Sequence, residues 1–251
     1  MKTITFALQK GGTGKTSCSV SCAVELAKKY KVIFIDADPQ GNASAWIGPD
    51  KIAYELSDVL TGKAALGQAI CQTEVPNLFL LPTAGIGGSL REYQQSSKAM
   101  TEPYAIADLL PELGKIFDFC VIDTSPAFGA IERAAFAAAD EVIPVLQLNQ
   151  FSLDGLQIFT TNLASAKKSL RLGDKPVLNK IILNGRDERI AQQNENLKMF
   201  EQMAGNISLF ILPTDQSYSK AQKVKLPIQI LNSSKKETFD TLTKLAEAIA
   251  K

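Results

Sequence analysis

The residues best equipped for chemistry stand in three short runs. The first, Gln9-Lys10-Gly11-Gly12-Thr13-Gly14-Lys15-Thr16, joins an apolar run (Ile4–Leu8) to a helical pattern (Lys15–Lys29). Glycines there remove side chains, so backbone N–H groups can converge on phosphate oxygens, and the helix N-terminus adds the positive end of its dipole. In this spacing Lys15 is expected to hold the β- and γ-phosphates of a nucleoside triphosphate, and the Thr16 hydroxyl to ligate Mg²⁺. Gly11, Gly12, Thr13, Gly14 and Ser17 complete the cradle.

The other two runs are carboxylates at strand ends. Asp36-Ala37-Asp38-Pro39-Gln40-Gly41-Asn42 follows Val32–Ile35, and Asp123-Thr124-Ser125-Pro126 follows Phe119–Ile122. In a parallel sheet the carboxyl ends of the strands share one edge, beside the phosphate loop. Three aspartates therefore converge where Mg²⁺ and the terminal phosphate would sit. Asp123 fits a carboxylate that holds the metal through water, and Asp36 one that supports its outer shell. Asp38 lies past the strand end on a loop able to move, which suits it to orient an attacking water.

Positioning these groups requires strands that alternate with helices. Apolar strand-length runs occur at Ile4–Leu8, Val32–Ile35, Leu78–Leu81, Phe119–Ile122, Val142–Leu146, Lys180–Leu183 and Ile207–Leu212. Several are continuously apolar, as strands covered on both faces must be. Helical patterns lie between them at Lys15–Lys29, about Gly88–Leu113, Ala130–Ala138, Ser152–Leu170, Ile190–Met203 and Lys236–Ala250. This alternation predicts right-handed crossovers and an α/β fold with one doubly wound, mostly parallel sheet and helices on both faces. The segment 47–76 is irregular and predicts an inserted pair of short helices. With no repeat, low-complexity tract or linker, residues 1–251 are expected to form a single domain.

Composition removes other classes. The chain has 251 residues, 45% hydrophobic and 21% charged, which suits a globular protein and excludes a disordered or collagen-like chain. It contains no histidine, and its four cysteines (Cys18, Cys22, Cys71, Cys120) include no C-x-x-C pair. Cys/His zinc sites and histidine-based acid–base chemistry are thereby excluded. No apolar run approaches the roughly 18–20 residues that span a bilayer, and no signal-peptide layout precedes the first strand, so the cytoplasm is the expected location. Net charge is only +1. Residues 1–166 nevertheless hold 12 Lys+Arg against 17 Asp+Glu, and residues 167–251 hold 15 against 9, an asymmetry that points weakly to an anionic partner on the C-terminal part.

The phosphate loop departs from G-x-x-x-x-G-K-[ST] in an informative way. Gln9 takes the first glycine position, and a second lysine, Lys10, stands beside it. This K-G-G-x-G-K-T form resembles the deviant Walker A box of the ParA/MinD family of P-loop ATPases, and D-x-D-P-Q-G-N at Asp36–Asn42 is similar to its ParA/Soj branch. The resemblance implies that Lys10 reaches across a dimer to the partner's ATP as a cation supplied in trans. Where that branch usually reads D-x-P-P, Ser125 replaces the first proline. Phe151-Ser152-Leu153-Asp154-Gly155-Leu156 is similar to the family's aromatic turn that opens the helix at the dimer face.

Toward the C-terminus the resemblance is patchier. Ile181-Ile182-Leu183-Asn184 resembles the strand whose end carries a polar residue for the purine, and Asn184 has both a donor and an acceptor for an adenine edge. Pro213-Thr214-Asp215 occupies the place of the family's P-R-N loop. Because Thr214 replaces the arginine, only Pro213 and Asp215 are carried over as base contacts. Asp187-Glu188-Arg189 matches the family's D-x-R, whose arginine helps hold DNA nonspecifically; Arg186, Lys220, Lys223 and Lys225 are candidates to share that surface. The resemblance thus implies an ATP- and Mg²⁺-dependent ATPase that forms a homodimer with ATP and binds double-stranded DNA without reading sequence. A ParB-like protein or another cargo adaptor would stimulate its slow hydrolysis. Relatives that place flagella, chemoreceptor arrays or microcompartments keep a protein cargo open as the alternative. A metal-centre or metabolic ATPase is disfavoured, because the cysteines of the cluster-binding relatives have no counterparts. The stripe Phe239, Leu242, Leu245, Ala246 and Ile249 in the last helix reads as core packing, so no MinD-like membrane helix is expected, nor an operator-binding domain ahead of the first strand.

Overall fold

The computed structural model describes residues 1–149 and 152–251. The chain opens with β1 (Lys2–Ala7) and α1 (Lys15–Ala27), then β2 (Val32–Ala37) and α2 (Asn42–Ile47). Three small elements follow, α3 (Leu56–Leu60), α4 (Leu66–Ala69) and β3 (Cys71–Gln72), and lead to β4 (Leu78–Leu81). Next come α5 (Leu90–Gln95), α6 (Ser97–Thr101), a single 3₁₀ turn at Ala107–Leu109, α7 (Leu110–Leu113) and β5 (Phe119–Thr124). The second half runs through α8 (Ala130–Ala138), β6 (Glu141–Gln147), α9 (Ser152–Ser169), β7 (Lys180–Arg186), α10 (Ala191–Met203) and β8 (Ser208–Pro213). It closes with α11 (Ser217–Lys223), α12 (Ile228–Leu231) and α13 (Lys236–Ala250).

The strands form one sheet in the order β3-β4-β2-β5-β1-β6-β7-β8. Among the described residues every neighbouring pair is parallel except β3–β4 at the edge. Successive side chains point to opposite faces, so Val32 and Phe34 join the cluster under α1, α2 and α13, while Ile33 and Ile35 join that under α3 to α8. Both faces are covered, which is why these runs are apolar throughout rather than alternating. The stripe of α13 packs inward through Leu242, Leu245, Ala246 and Ile249, as its spacing predicts.

The chain leaves β1 toward one side of the sheet and later returns on the other, to β6. Such a reversal opens a crevice at the carboxyl ends of the strands, here at the end of β1.

Some elements escaped the sequence pattern. The helical stretch predicted at Gly88–Leu113 is broken: Ser96 adopts extended backbone and its hydroxyl accepts from the Ala99 N–H at 3.2 Å, ending α5 and starting α6. Pro103 follows the end of α6, and Pro111 stands in the first turn of α7, where its missing N–H is tolerated. The pair of short helices expected within 47–76 is present as α3 and α4, but β3 was not foreseen, because two residues carry no periodicity. Helices α2, α11 and α12, of 6, 7 and 4 residues, are too short to declare themselves in the same way. No helix among the described residues is long and apolar enough to cross a membrane.

Candidate functional site

The loop between β1 and α1 is built on backbone that side chains would obstruct. Gly12 and Gly14 have φ of 71° and 91°. The φ of Gly14 favours glycine, and a Cβ there, 2.2 Å from Nδ2 of Asn184, would also displace that amide. Gly11 and Gly12 face open space instead, with nothing within 4 Å of an added Cβ. The loop is held from outside by amides at neighbouring strand ends. Asn184 Nδ2 donates to the Thr13 carbonyl at 2.9 Å, and Gln147 Nε2 to the Gly12 carbonyl at 2.9 Å. Lys15 folds back so that Nζ donates to the Lys10 carbonyl at 3.0 Å, and Lys10 Nζ donates to Asn149 Oδ1 at 3.3 Å. Burial lowers the Lys15 pKa, opposed by Asp123, Asp38 and Glu132.

The carboxylates arrive as the sheet dictates. Asp36 and Asp123 are register partners on adjacent strands, both fully buried. Asp36 is satisfied: Oδ2 accepts from Ser44 N at 2.7 Å and Ser44 Oγ at 2.6 Å, and Oδ1 from Asp38 N at 3.3 Å. Neither oxygen of Asp123 makes a hydrogen bond of good geometry, although the Thr16 hydroxyl lies close enough to lower its pKa. Burial drives the pKa of both upward; for Asp123, repulsion from Asp36 and Asp38 adds to it, while the Thr16 hydroxyl and the Lys15 ammonium oppose it. An uncompensated buried carboxylate is costly unless a cation completes it. Among the described residues no group of three or more carboxylate, cysteine or histidine side chains is arranged to hold a metal ion by itself. A cation beside Asp123 would therefore take most of its ligands from a bound anion and water.

A cavity of about 550 Å³ opens above these groups, walled by Gly11 to Ser17, by Asp38, Gln40 and Asn42, and by Pro126. Trp46 and Gln222 close its far side. The Asp38 side chain is buried and accepts from Gln40 N at 2.9 Å, which shapes the turn into α2. Gly41 sits back to back with Gly85, where a Cβ would meet Gly85 backbone at 2.8 Å, so this turn is pinned against the loop after β4. Ser125, standing where the related motif has proline, is braced differently. Its hydroxyl hydrogen-bonds Glu132 Oε1 and accepts from Ala127 N at 3.2 Å, while Glu132 Oε2 accepts from Gly129 N at 2.8 Å. A side-chain network replaces the missing ring constraint.

The ends of β7 and β8 form a second feature on the same edge, a cleft of about 880 Å³ lined by Arg186, Arg189, Pro213, Thr214, Asp215 and Lys235 among others. Thr214 ties the two strands together, its N–H donating to the Arg186 carbonyl at 2.8 Å and its hydroxyl to the Gly185 carbonyl at 2.9 Å. The Asp215 carboxylate is occupied by structure. It accepts from Ser217 N at 2.9 Å, Ser234 Oγ at 2.7 Å, Lys235 N at 3.2 Å and Thr238 Oγ1 at 2.9 Å, fixing the entry to α13. Although burial opposes it, these hydrogen bonds hold its pKa down at about 2. The expected role of Asp215 at the base therefore meets a carboxylate already engaged. Arg189 makes a bidentate pair with Asp187 at 2.6 and 2.9 Å, and Arg186 lies 3.5 Å from Glu188. Lys220 and Lys223 are exposed on α11, and Lys225 pairs with Asp50 at 2.6 Å. The cleft thus brings Arg186 and Arg189 together, adds Lys235, and leaves Lys220, Lys223 and Lys225 outside its walls.

Comparison with known proteins places this geometry. The sequence profile of a family described as an AAA domain matches residues 1–174. The chromosome-partitioning ATPase Soj of Treponema pallidum is 31% identical over 229 residues, covering 90% of this chain and 88% of Soj. The chain belongs to the ParA/MinD family of P-loop ATPases, on its ParA/Soj side. Solved structures agree in fold: apo McdA of Cyanothece superposes with a TM-score of 0.85 at 21% identity, covering 100% of both chains. The septum site-determining protein MinD of Pyrococcus horikoshii, solved with Mg-ADP, gives 0.76 at 24% identity, covering 100% of this chain and 96% of MinD.

Within the ParA/MinD frame, Phe151 of the expected aromatic turn lies outside the described residues, and Ser152 begins α9. Gln147 and Asn149 were missed from the sequence, although Gln147 ends an apolar strand just as Asp36, Asp123 and Asn184 do. Trp46, Gln222 and Lys235 carried no such signal, since each reaches its cavity from a helix or helix entry distant in sequence.

Proposed function

We propose that residues 1–251 act as one ATPase domain and as an ATP-dependent dimerising switch that binds DNA nonspecifically and moves a chromosome or plasmid cargo with a ParB-like partner. The observation that carries this reading is Asp123, buried with no hydrogen bond of good geometry to either oxygen, beside desolvated Lys15 under an open glycine cradle. That donor set fits a magnesium-bound triphosphate: backbone N–H groups of Gly11 to Thr16 and Lys15 take the phosphates, and Thr16 and Asp123 face the cation, with Asp36 behind. Magnesium, when bound, neutralises charge between the β- and γ-phosphates. Asn184 and Pro213 flank the base, while the hydrogen bonds of Asp215 hold the entry to α13.

In this reading Asp38 orients the attacking water, and Lys10 of each protomer neutralises charge on the other's nucleotide, a contribution worth about 10³–10⁵ in rate for comparable cations supplied in trans. Without a strong general base, unstimulated hydrolysis is slow. Closing two protomers doubles the phosphate contacts available to Arg186, Arg189, Lys220, Lys223 and Lys225, so DNA affinity becomes steep in both ATP and salt. The protein then resides in the cytoplasm, on the nucleoid while ATP is bound. Retention on DNA of arbitrary sequence tests this, comparing Mg²⁺ with an uncleavable ATP analogue against Mg-ADP. Strong, salt-sensitive retention with the analogue alone supports the switch; equal retention with both contradicts it.

A further inference from the structure

Helix α11 belongs to both features of this edge. Its Gln222 lines the phosphate cavity beside Trp46, the sole tryptophan of the chain, while its Lys220 and Lys223 are exposed. At i and i+3 the two lysines share one face, and Gln222 lies about 100° or more around the helix. The segment 217–231 is fastened to the nucleotide side at four points. From α1, Ser21 Oγ meets the Tyr218 hydroxyl at 3.3 Å, and the Ser21 carbonyl accepts from Gln229 Nε2 at 2.9 Å. From α2, Trp46 Nε1 donates to the Leu226 carbonyl at 3.1 Å, and its ring meets Tyr218 edge-on at 6.3 Å.

The α2 end of this chain of contacts is hydrogen-bonded to the turn that carries Asp38. Gly41 O accepts from Ala45 N at 2.8 Å, and Ser44 holds Asp36. Beyond α2, Asp50 pairs with Lys225, which itself sits in left-handed backbone at φ 55°. The Asp38 turn, α2 and Trp46 thus form one continuous set of contacts with the segment that bears the lysines.

We propose that Trp46 and Gln222 are positioning residues through which nucleotide in the phosphate cavity fixes α11, and so sets Lys220 and Lys223 for contact with DNA phosphates. This rests on the nucleotide-gated DNA binding proposed above and adds that the basic surface is controlled inside each protomer, as well as by pairing of two. A purely structural role for the two residues would alter stability without altering how nucleotide changes the segment.

Amide hydrogen exchange on the full chain separates these roles, with Mg²⁺ and an uncleavable ATP analogue at saturation for each variant. In the unaltered protein, exchange across 217–231 is expected to slow several-fold with the analogue, in step with the phosphate loop. In Gln222→Ala, an exposed change that spares the core, and in Trp46→Phe, which keeps a ring but removes the N–H donor, that slowing is expected to vanish. The analogue-over-ADP ratio of DNA affinity should fall with it, by about 5-fold or more. Slowing of the phosphate loop and of 38–42 without any change at 217–231 would overturn this inference and leave the ATP switch standing. The same slowing of 217–231 in both variants as in the unaltered protein would also overturn it. No slowing anywhere would overturn both.

Discussion

The phosphate cavity and the β7–β8 cleft share the carboxyl edge of one sheet but handle charge in opposite ways. In the cavity, Asp123 is fully buried with neither oxygen in a hydrogen bond of good geometry, and Lys15 is stripped of water. In the cleft, the Arg189 side chain is 88% exposed and already paired with Asp187, and Asp215 is saturated by four residues. A buried carboxyl or ammonium left without a full set of partners costs stability, because burial pushes it toward its neutral form, and a ligand that completes it recovers that cost. An exposed charge that exchanges a neighbouring carboxylate for a phosphate gains little in either state, which would suit the reversible DNA contacts proposed above.

The comparison is sharpest at Asp123. Asp123→Asn removes a carboxylate that the nucleotide-free fold does not satisfy. It is expected to lower magnesium-dependent turnover by about 100-fold or more. The nucleotide-free protein should nevertheless melt higher, by about 2–4 °C, which for a chain of this size corresponds to about 1 kcal/mol. A fall in both melting temperature and turnover would mean that Asp123 is an ordinary structural carboxylate.

On the cleft side the effects should be smaller and opposite in sign for two neighbours. Arg189→Ala is expected to weaken DNA retention by roughly 5-fold and to lower the salt slope by about one unit. Asp187→Asn frees Arg189 from its own pair and should strengthen retention by roughly 2-fold at low salt. Retention unchanged in both would remove Arg189 from the DNA surface. Smallest for function, and confined to the fold, is Asp215→Asn. The carboxylate's lowered pKa means that its contribution is present above the unfolded value of about 3.9 and is lost as pH falls toward 2. The variant should lose about 1–2 kcal/mol at neutral pH and show a flatter stability curve between about pH 4 and pH 2. Nucleotide affinity should not change, since the carboxylate faces α13.

These contrasts also mark what a reader of the sequence can reach. The phosphate loop and the three aspartates were legible because each motif is contiguous and ends an apolar strand, and parallel strands deliver their ends to one edge. The sheet and most of its helices followed from the same alternation. Trp46 and Gln222 were not legible, since 176 positions of chain separate two residues that line one cavity only through tertiary packing. The partners of Asp215 were hidden for a related reason. Its four donors come from Ser217, Ser234, Lys235 and Thr238, and only the first is near it in sequence. Ser125 teaches the converse: where a motif residue is replaced, its loop is braced by hydrogen bonds to Glu132, a residue outside the motif.

Whether a bound triphosphate joins two protomers is the point on which the rest depends, and sedimentation of the purified protein with magnesium and an uncleavable ATP analogue measures it directly. Dimers with the analogue, monomers with ADP, and monomers for Lys10→Ala under both conditions are the predicted result. A protein that stays monomeric with the analogue, or a Lys10→Ala variant that dimerises as well as the unaltered chain, would contradict it.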